Sequence, residues 1–141
     1  MPLAGIKALL IDDSNTIRRS GEIFLTQAGC QVALAENGYD GLSRMMDQRP
    51  DVIFIDIIMP RLDGYQTCAL IKNHPEFKDI PTIMLTSKES LFDRAWARML
   101  GANHYLIKPF TLKSLEEAIV ACLSARQLKG STPGDSHVKT A

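Results

Sequence analysis

At 141 residues and 15.6 kDa, with 45% hydrophobic and 23% charged residues, the chain has the size and composition of one globular domain. Sixteen Lys and Arg balance sixteen Asp and Glu, so there is no basic excess of the kind a nucleic-acid partner selects. No apolar run approaches the ~18 residues of a membrane span, and Met1-Pro2-Leu3-Ala4-Gly5 lacks the basic start and long apolar run of a signal peptide. A soluble, cytoplasmic protein with no membrane contact is the expectation. Cys30, Cys68 and Cys122 lie far apart and form no Cys-x-x-Cys pattern, so they read as small buried hydrophobes in a reducing compartment.

Ile6 to Ile11 is an apolar run broken by Lys7 and ended by Asp12-Asp13-Ser14, a first buried strand. From Ser14, a potential N-cap, Ile17, Phe24, Leu25 and Ala28 recur near helical spacing until Gly29 stops the helix. Gln31 to Ala35 is a second strand. Asn37-Gly38 then turns the chain into a helix carrying Leu42, Met45 and Met46, closed by Pro50. Val52-Ile53-Phe54-Ile55 reads as a strand buried on both faces, and it ends on Asp56. A helix from about Leu62 to Lys72 follows, with Tyr65, Cys68, Ala69, Leu70 and Ile71 as its apolar side.

Asn73 to Pro81 is a polar loop, and Thr82 to Leu85 is a fourth strand ending in Thr86-Ser87. A helix through Ala95, Trp96, Met99 and Leu100 stops at Gly101. His104 to Ile107 is a fifth strand, and Lys108-Pro109-Phe110 leads into a last helix from Leu112 to about Arg126. The predicted domain spans 1–126, and the polar tail 127–141 is expected to be disordered. Strands and helices that alternate in this way predict an α/β fold: a five-stranded parallel sheet covered by helices on both faces. The favoured strand order is the doubly wound 2-1-3-4-5, flavodoxin-like.

Ligands in such sheets bind beyond the carboxyl ends of the strands. Strand one places Asp12 and Asp13 there, strand three Asp56, strand four Thr86 and strand five Lys108, and the four strands are neighbours in the predicted order. Alone, Asp12-Asp13 reads as an acidic helix start, Lys108 as a solvated side chain and Thr86 as strand punctuation. Together they form one site. Three carboxylates repel, which raises a pKa or calls for a cation, and an all-oxygen set with few protein ligands suits Mg²⁺.

Asp12-Asp13, Asp56 with Met59-Pro60 and Asp63-Gly64, Thr86, and Lys108-Pro109-Phe110 resemble the receiver domain of two-component response regulators, over about residues 6 to 126. More narrowly, the run from Met59 to Lys72 (MPRLDGYQTCALIK) and Leu91-Phe92-Asp93 resemble PilG-type receivers of type IV pilus twitching-motility systems. The resemblance implies a CheY-like fold in a chemotaxis-like phosphorelay, with Asp56 as phosphoacceptor and a CheA-like histidine kinase as donor. It implies Mg²⁺ held by Asp13, Asp56 and the backbone carbonyl of Ile58, with Asp12 acting through water. Lys108 would bind the phosphoryl oxygens, with a cis peptide before Pro109, and Thr86 and Tyr105 would form the switch. The implied output is a monomeric single-domain signalling protein acting on a motility or pilus target, not an enzyme with a foreign substrate. A relay intermediate or phosphate sink without its own target uses the same residues. Ile58 and Lys88 flank the site, where an apolar group and a cation should alter water access to an aspartyl phosphate.

Two other readings share parts of the pattern. A haloacid-dehalogenase-type phosphatase uses aspartate, lysine and Mg²⁺, but expects Asp-x-Asp on its first strand and a cap domain. A flavodoxin-like flavin protein expects a Ser/Thr-rich phosphate loop after strand one, which Asp12-Asp13-Ser14-Asn15 does not supply.

Overall fold

The structure, a computed structural model, describes residues 3–87, 95–96 and 98–131, with side chains described as far as Ser124. Among the described residues the elements run β1 (Lys7–Ile11), α1 (Asn15–Gln27), β2 (Gln31–Ala35), α2 (Gly38–Asp47), β3 (Val52–Asp56), α3 (Gly64–Lys72), β4 (Thr82–Thr86), β5 (His104–Ile107) and α4 (Leu112–Ser131). The sheet is parallel throughout, in the order β2-β1-β3-β4-β5. This is the predicted fold class and order.

Every residue of β3 is buried because helices cover both faces of the sheet. Val52 and Phe54 pack with Leu25 of α1, Ala28 just past its end, and Leu115 and Ile119 of α4 in one apolar cluster. Ile53 and Ile55 pack with Met45, Cys68 and Ile71 of α2 and α3 in the other. All three cysteines are free and buried, as their isolation in sequence suggests.

Helix starts follow local capping chemistry. Ser14 Oγ accepts from the Ile17 N–H (3.2 Å), and Gly29, at φ +102°, lies just past the end of α1. Asn37 Oδ1 accepts from the Asp40 N–H (2.8 Å) at the start of α2. Asp63 opens α3 with a reciprocal box: its Oδ1 accepts from the Gln66 N–H (2.8 Å), and Gln66 Oε1 accepts from the Asp63 N–H (3.3 Å). That box starts α3 at Gly64 rather than Leu62. The buried face of α3 then runs Gly64, Thr67, Cys68, Ile71, so Leu70 is rotated outward and 49% exposed, against expectation. Gly38, Gly41 and Met45 form the buried stripe of α2, which leaves Met46 67% exposed.

The segment after α3 is polar in composition, yet it inserts Phe77 and Ile80 into the core. Lys72 holds it there. Its Nζ donates to the carbonyls of Ile80 (2.8 Å) and Lys78 (3.3 Å) and to Asn103 Oδ1 (3.0 Å), which also accepts from the Thr82 N–H (2.9 Å). Burial pulls the Lys72 pKa down from its ordinary value.

Ala95, Trp96, Arg98 and Met99 are helical as expected. Trp96 is 40% exposed and sets its ring edge-on to Tyr65, with centroids 6.2 Å apart. Lys88 and Leu91-Phe92-Asp93 lie outside the described residues. The last helix continues through Ser131 instead of ending near Arg126, because Gln127, Leu128 and Lys129 are good helix formers. Residues 132–141 of the expected tail lie outside the described residues.

Candidate functional site: an acidic pocket at the carboxyl edge of the sheet

Pairing Ile11 with Ile55, Asp56 with Leu85, and Thr86 with Ile107 brings the carboxyl ends of β1, β3, β4 and β5 to one edge. Backbone bonds continue the ladder just beyond the strands. The Asp12 N–H donates to Ala35 O (3.1 Å), the Ile57 N–H to Leu85 O (3.0 Å) and the Lys108 N–H to Thr86 O (2.6 Å). Each chain exit is therefore fixed by its neighbour.

The carboxylates of Asp12, Asp13 and Asp56 offer oxygens all within 4.8 Å of one another. Asp12 is fully buried and Asp56 is 4% exposed, whereas Asp13 faces solvent. Lys108, half-buried, bridges two of the three: its Nζ donates to Asp56 Oδ1 (2.9 Å) and to Asp12 Oδ2 (3.3 Å). Asp12 Oδ1 is taken by the Ser14 N–H (2.9 Å). Both Asp12 oxygens thus have protein partners, which leaves Asp13 as the most accessible carboxylate of the three. The peptide bond between Lys108 and Pro109 is cis.

The electrostatics follow from that geometry. Burial pushes the Asp56 carboxyl up to about 6; the hydrogen bond from Lys108 opposes this, and the charges of Asp12 and Asp13 add to it. Burial also acts against the charged form of Lys108, but its contacts with Asp56 and Asp12 outweigh that and raise its pKa. A protonated lysine beside clustered carboxylates is the resting arrangement.

Thr86 is buried at the end of β4, and Tyr105 is half-buried on β5 opposite Met84. The Ile58 side chain is 75% exposed, between the buried Ile57 and Met59. His104 is exposed, with its ring 6.1 Å from that of Tyr105.

Two contributors act in ways that the sequence reading did not assign. Arg18 Nη1 donates to the Asp12 carbonyl (2.6 Å) and its Nη2 to Asn15 Oδ1, anchoring the β1–α1 loop. Gly64 lies against the Asp56 backbone: a Cβ there would sit 2.2 Å from the Asp56 carbonyl oxygen. Its N–H donates to Ile57 O (2.9 Å).

The donor set is all oxygen, with one solvent-open carboxylate and a nearby fixed cation. It fits a hard, partly hydrated ion such as Mg²⁺.

Residues 8–120 match the family described as "Response regulator receiver domain". The chain belongs to the response regulator receiver family. This receiver is 54% identical over 117 residues to "Protein PilG" of Pseudomonas aeruginosa, a match covering 83% of this chain and 87% of PilG. It is 40% identical to "Probable transcriptional regulator ycf27" of Guillardia theta, but spans only 45% of that protein. Among solved structures, the chemotaxis protein CheY4 of Vibrio cholerae superposes with a TM-score of 0.81 at 30% identity, covering 84% of this chain and 99% of CheY4. Receivers are phosphoacceptor signalling domains that take phosphate from histidine kinases and bind Mg²⁺ at an acidic pocket. The dehalogenase-type and flavin readings fall with that membership. No helix among the described residues is long and apolar enough to cross a membrane.

Proposed function

We propose that this receiver is phosphorylated on Asp56 and signals through a phosphorylation-dependent change of surface in a chemotaxis-like pathway controlling type IV pilus motility. The observation that carries the reading is Lys108 Nζ held 2.9 Å from Asp56 Oδ1, within a cluster of three carboxylates. Phosphoryl transfer needs positioning and charge neutralisation more than covalent assistance, and this pocket supplies both. An Asp56 carboxylate oxygen attacks phosphorus, the N–P bond of a phosphohistidine breaks, and the imidazole leaves with a proton from solvent. The product is an acyl phosphate on Asp56. Lys108 stays paired to a phosphoryl oxygen, a charge-assisted contact.

Asp13, Asp56 and the Ile58 carbonyl would hold Mg²⁺, with Asp12 acting through water; the saturated partners of Asp12 support that outer role. Bound Mg²⁺ supplies further neutralisation of the phosphoryl charge. A dianionic group at the end of β3 offers the Thr86 hydroxyl a strong acceptor one strand away. Tyr105, on the next strand, follows its movement and couples the site to the surface formed by the helix through Trp96, β5 and α4.

The proposal extends to a cytoplasmic monomer served by a CheA-like kinase and acting on a motility protein; the 54% identity to PilG supports the pilus pathway. The test is intact mass after incubation with acetyl phosphate, with and without Mg²⁺. A single Mg²⁺-dependent phosphoryl adduct on wild type, absent in Asp56→Asn, is expected. An adduct retained in the asparagine variant would place the acceptor elsewhere.

A further inference from the structure

The loop joining β3 to α3 carries the Ile58 carbonyl, and backbone hydrogen bonds fix its two ends. The Ile57 N–H donates to Leu85 O, and the Gly64 N–H donates back to Ile57 O. Between them Arg61 has φ +64°, the left-handed region that a residue with a Cβ rarely adopts. Such a conformation persists only where the surroundings over-determine it. Here they are the first turn of α2. Leu62 packs so closely on Gly38 that a Cβ at 38 would lie 2.7 Å from Leu62 Cδ2. Beside it, the Arg61 guanidinium carbon lies 5.6 Å from the centre of the Tyr39 ring, within cation–π range. Tyr39 is 57% exposed and Arg61 is also exposed, so neither side chain is there to fill the core.

We propose that Arg61 and Tyr39 form a cation–π latch that fixes the β3–α3 loop and so positions the Ile58 carbonyl for Mg²⁺. The inference rests on the metal site proposed above. Mg²⁺ demands near-ideal octahedral geometry with oxygens at about 2.0–2.1 Å, so a loop that wanders costs affinity even when both carboxylates stay in place. Both residues are positioning residues, since neither touches the ion or the acceptor. Arg61 is also the residue whose backbone strain the latch holds. Losing the contact frees the loop to fluctuate between its two fixed ends, and the Ile58 carbonyl, three residues before Arg61, moves with it.

The experiment is a double-mutant cycle on the full chain: Tyr39→Ala, Arg61→Gly and the pair, with Tyr39→Phe as the conservative control. Glycine keeps the left-handed backbone available, so Arg61→Gly removes the cation without forcing a new strain. Two readouts are taken: Mg²⁺ affinity from MgCl₂ titration of amide chemical shifts, and hydrogen exchange of the Ile58 and Met59 amides in EDTA. An exposed cation–π contact corresponds to about two- to five-fold in affinity. Each single variant should weaken Mg²⁺ binding by that factor, the pair by no more than either single, and Tyr39→Phe not at all. Loop exchange in EDTA should rise in the same pattern. Unchanged affinity in Tyr39→Ala, or losses that add in the pair, would overturn the latch while leaving the metal site intact. A wild type that takes up no Mg²⁺ would instead remove the metal site itself, and the latch assignment with it.

Discussion

Replacing the proposed phosphoacceptor should make the metal-free protein more stable. Asp56 is 4% exposed and shares its pocket with two other carboxylates, so its pKa rises from 3.8 to about 6. The sign follows from linkage: the folded state holds this proton more tightly than the unfolded chain, so stability falls as pH climbs from about 4 to about 6 and stays lower above that. At about 1.4 kcal/mol per pH unit of displacement, the ionised carboxylate costs the fold about 3 kcal/mol near neutral pH. An asparagine in its place carries no charge, but it makes a weaker bond to Lys108, which offsets about 1 kcal/mol of the gain. Asp56→Asn should therefore stabilise the protein by about 2 kcal/mol near pH 8, or about 1 M in urea midpoint for a chain of this size. The assay is urea unfolding in EDTA near pH 8 and again near pH 4. The gain should largely vanish at the lower pH, where the wild-type carboxyl is protonated in the folded state and half-protonated in the unfolded chain. It should also shrink in saturating MgCl₂, which stabilises only the chain that binds it. A variant midpoint at or below wild type near pH 8, or a gain independent of pH, would refute the electrostatic reasoning.

Lys108→Ala removes the cation bridging Asp12 and Asp56, so in EDTA it should lose stability near pH 8 more than near pH 5, and acetyl phosphate labelling should fall at least about ten-fold by intact mass. Gly64→Ala places a methyl 2.2 Å from the Asp56 carbonyl oxygen, and urea unfolding should report a loss of about 1–3 kcal/mol together with slower phosphorylation. Lys72→Met keeps the aliphatic stem but strips donors from Ile80 O and Asn103 Oδ1; a loss of about 1–3 kcal/mol is expected, with faster amide exchange at Ile80 and Thr82.

The fold and the acidic pocket were legible in the sequence for one physical reason. A parallel sheet buried on both faces writes its strands as unbroken apolar runs, and the polar residue that ends each run marks the functional edge. Val52 to Asp56 shows both halves of that rule. Side-chain roles set by distant partners were not legible. Lys72 looks like any basic residue ending a helix, and only Asn103, 31 positions away, and the carbonyls near Ile80 make it a clamp. Arg18 gives no sign of its bond to the Asp12 carbonyl, and the Arg61–Tyr39 contact joins two segments that periodicity does not relate. Leu70 and Met46 were misplaced because an apolar residue counts toward a helical stripe only if its rotation matches, and that depends on where the cap starts the helix.

The strand that ends on Asp56 belongs to both apolar clusters at once, Val52 and Phe54 to one and Ile53 and Ile55 to the other. It behaves as an anvil: gripped from above and below, it has no soft direction in which to yield. On the proposed phosphorylation of Asp56, strain at that tip would be taken up where the chain is compliant, in the loops beyond the sheet edge and the elements at its flank. The contrast in stiffness, rather than a wire of contacts, then decides where the message emerges. Amide exchange across 52–55 should stay the same before and after phosphorylation, while the loop after Asp56 and the flank around β5 change.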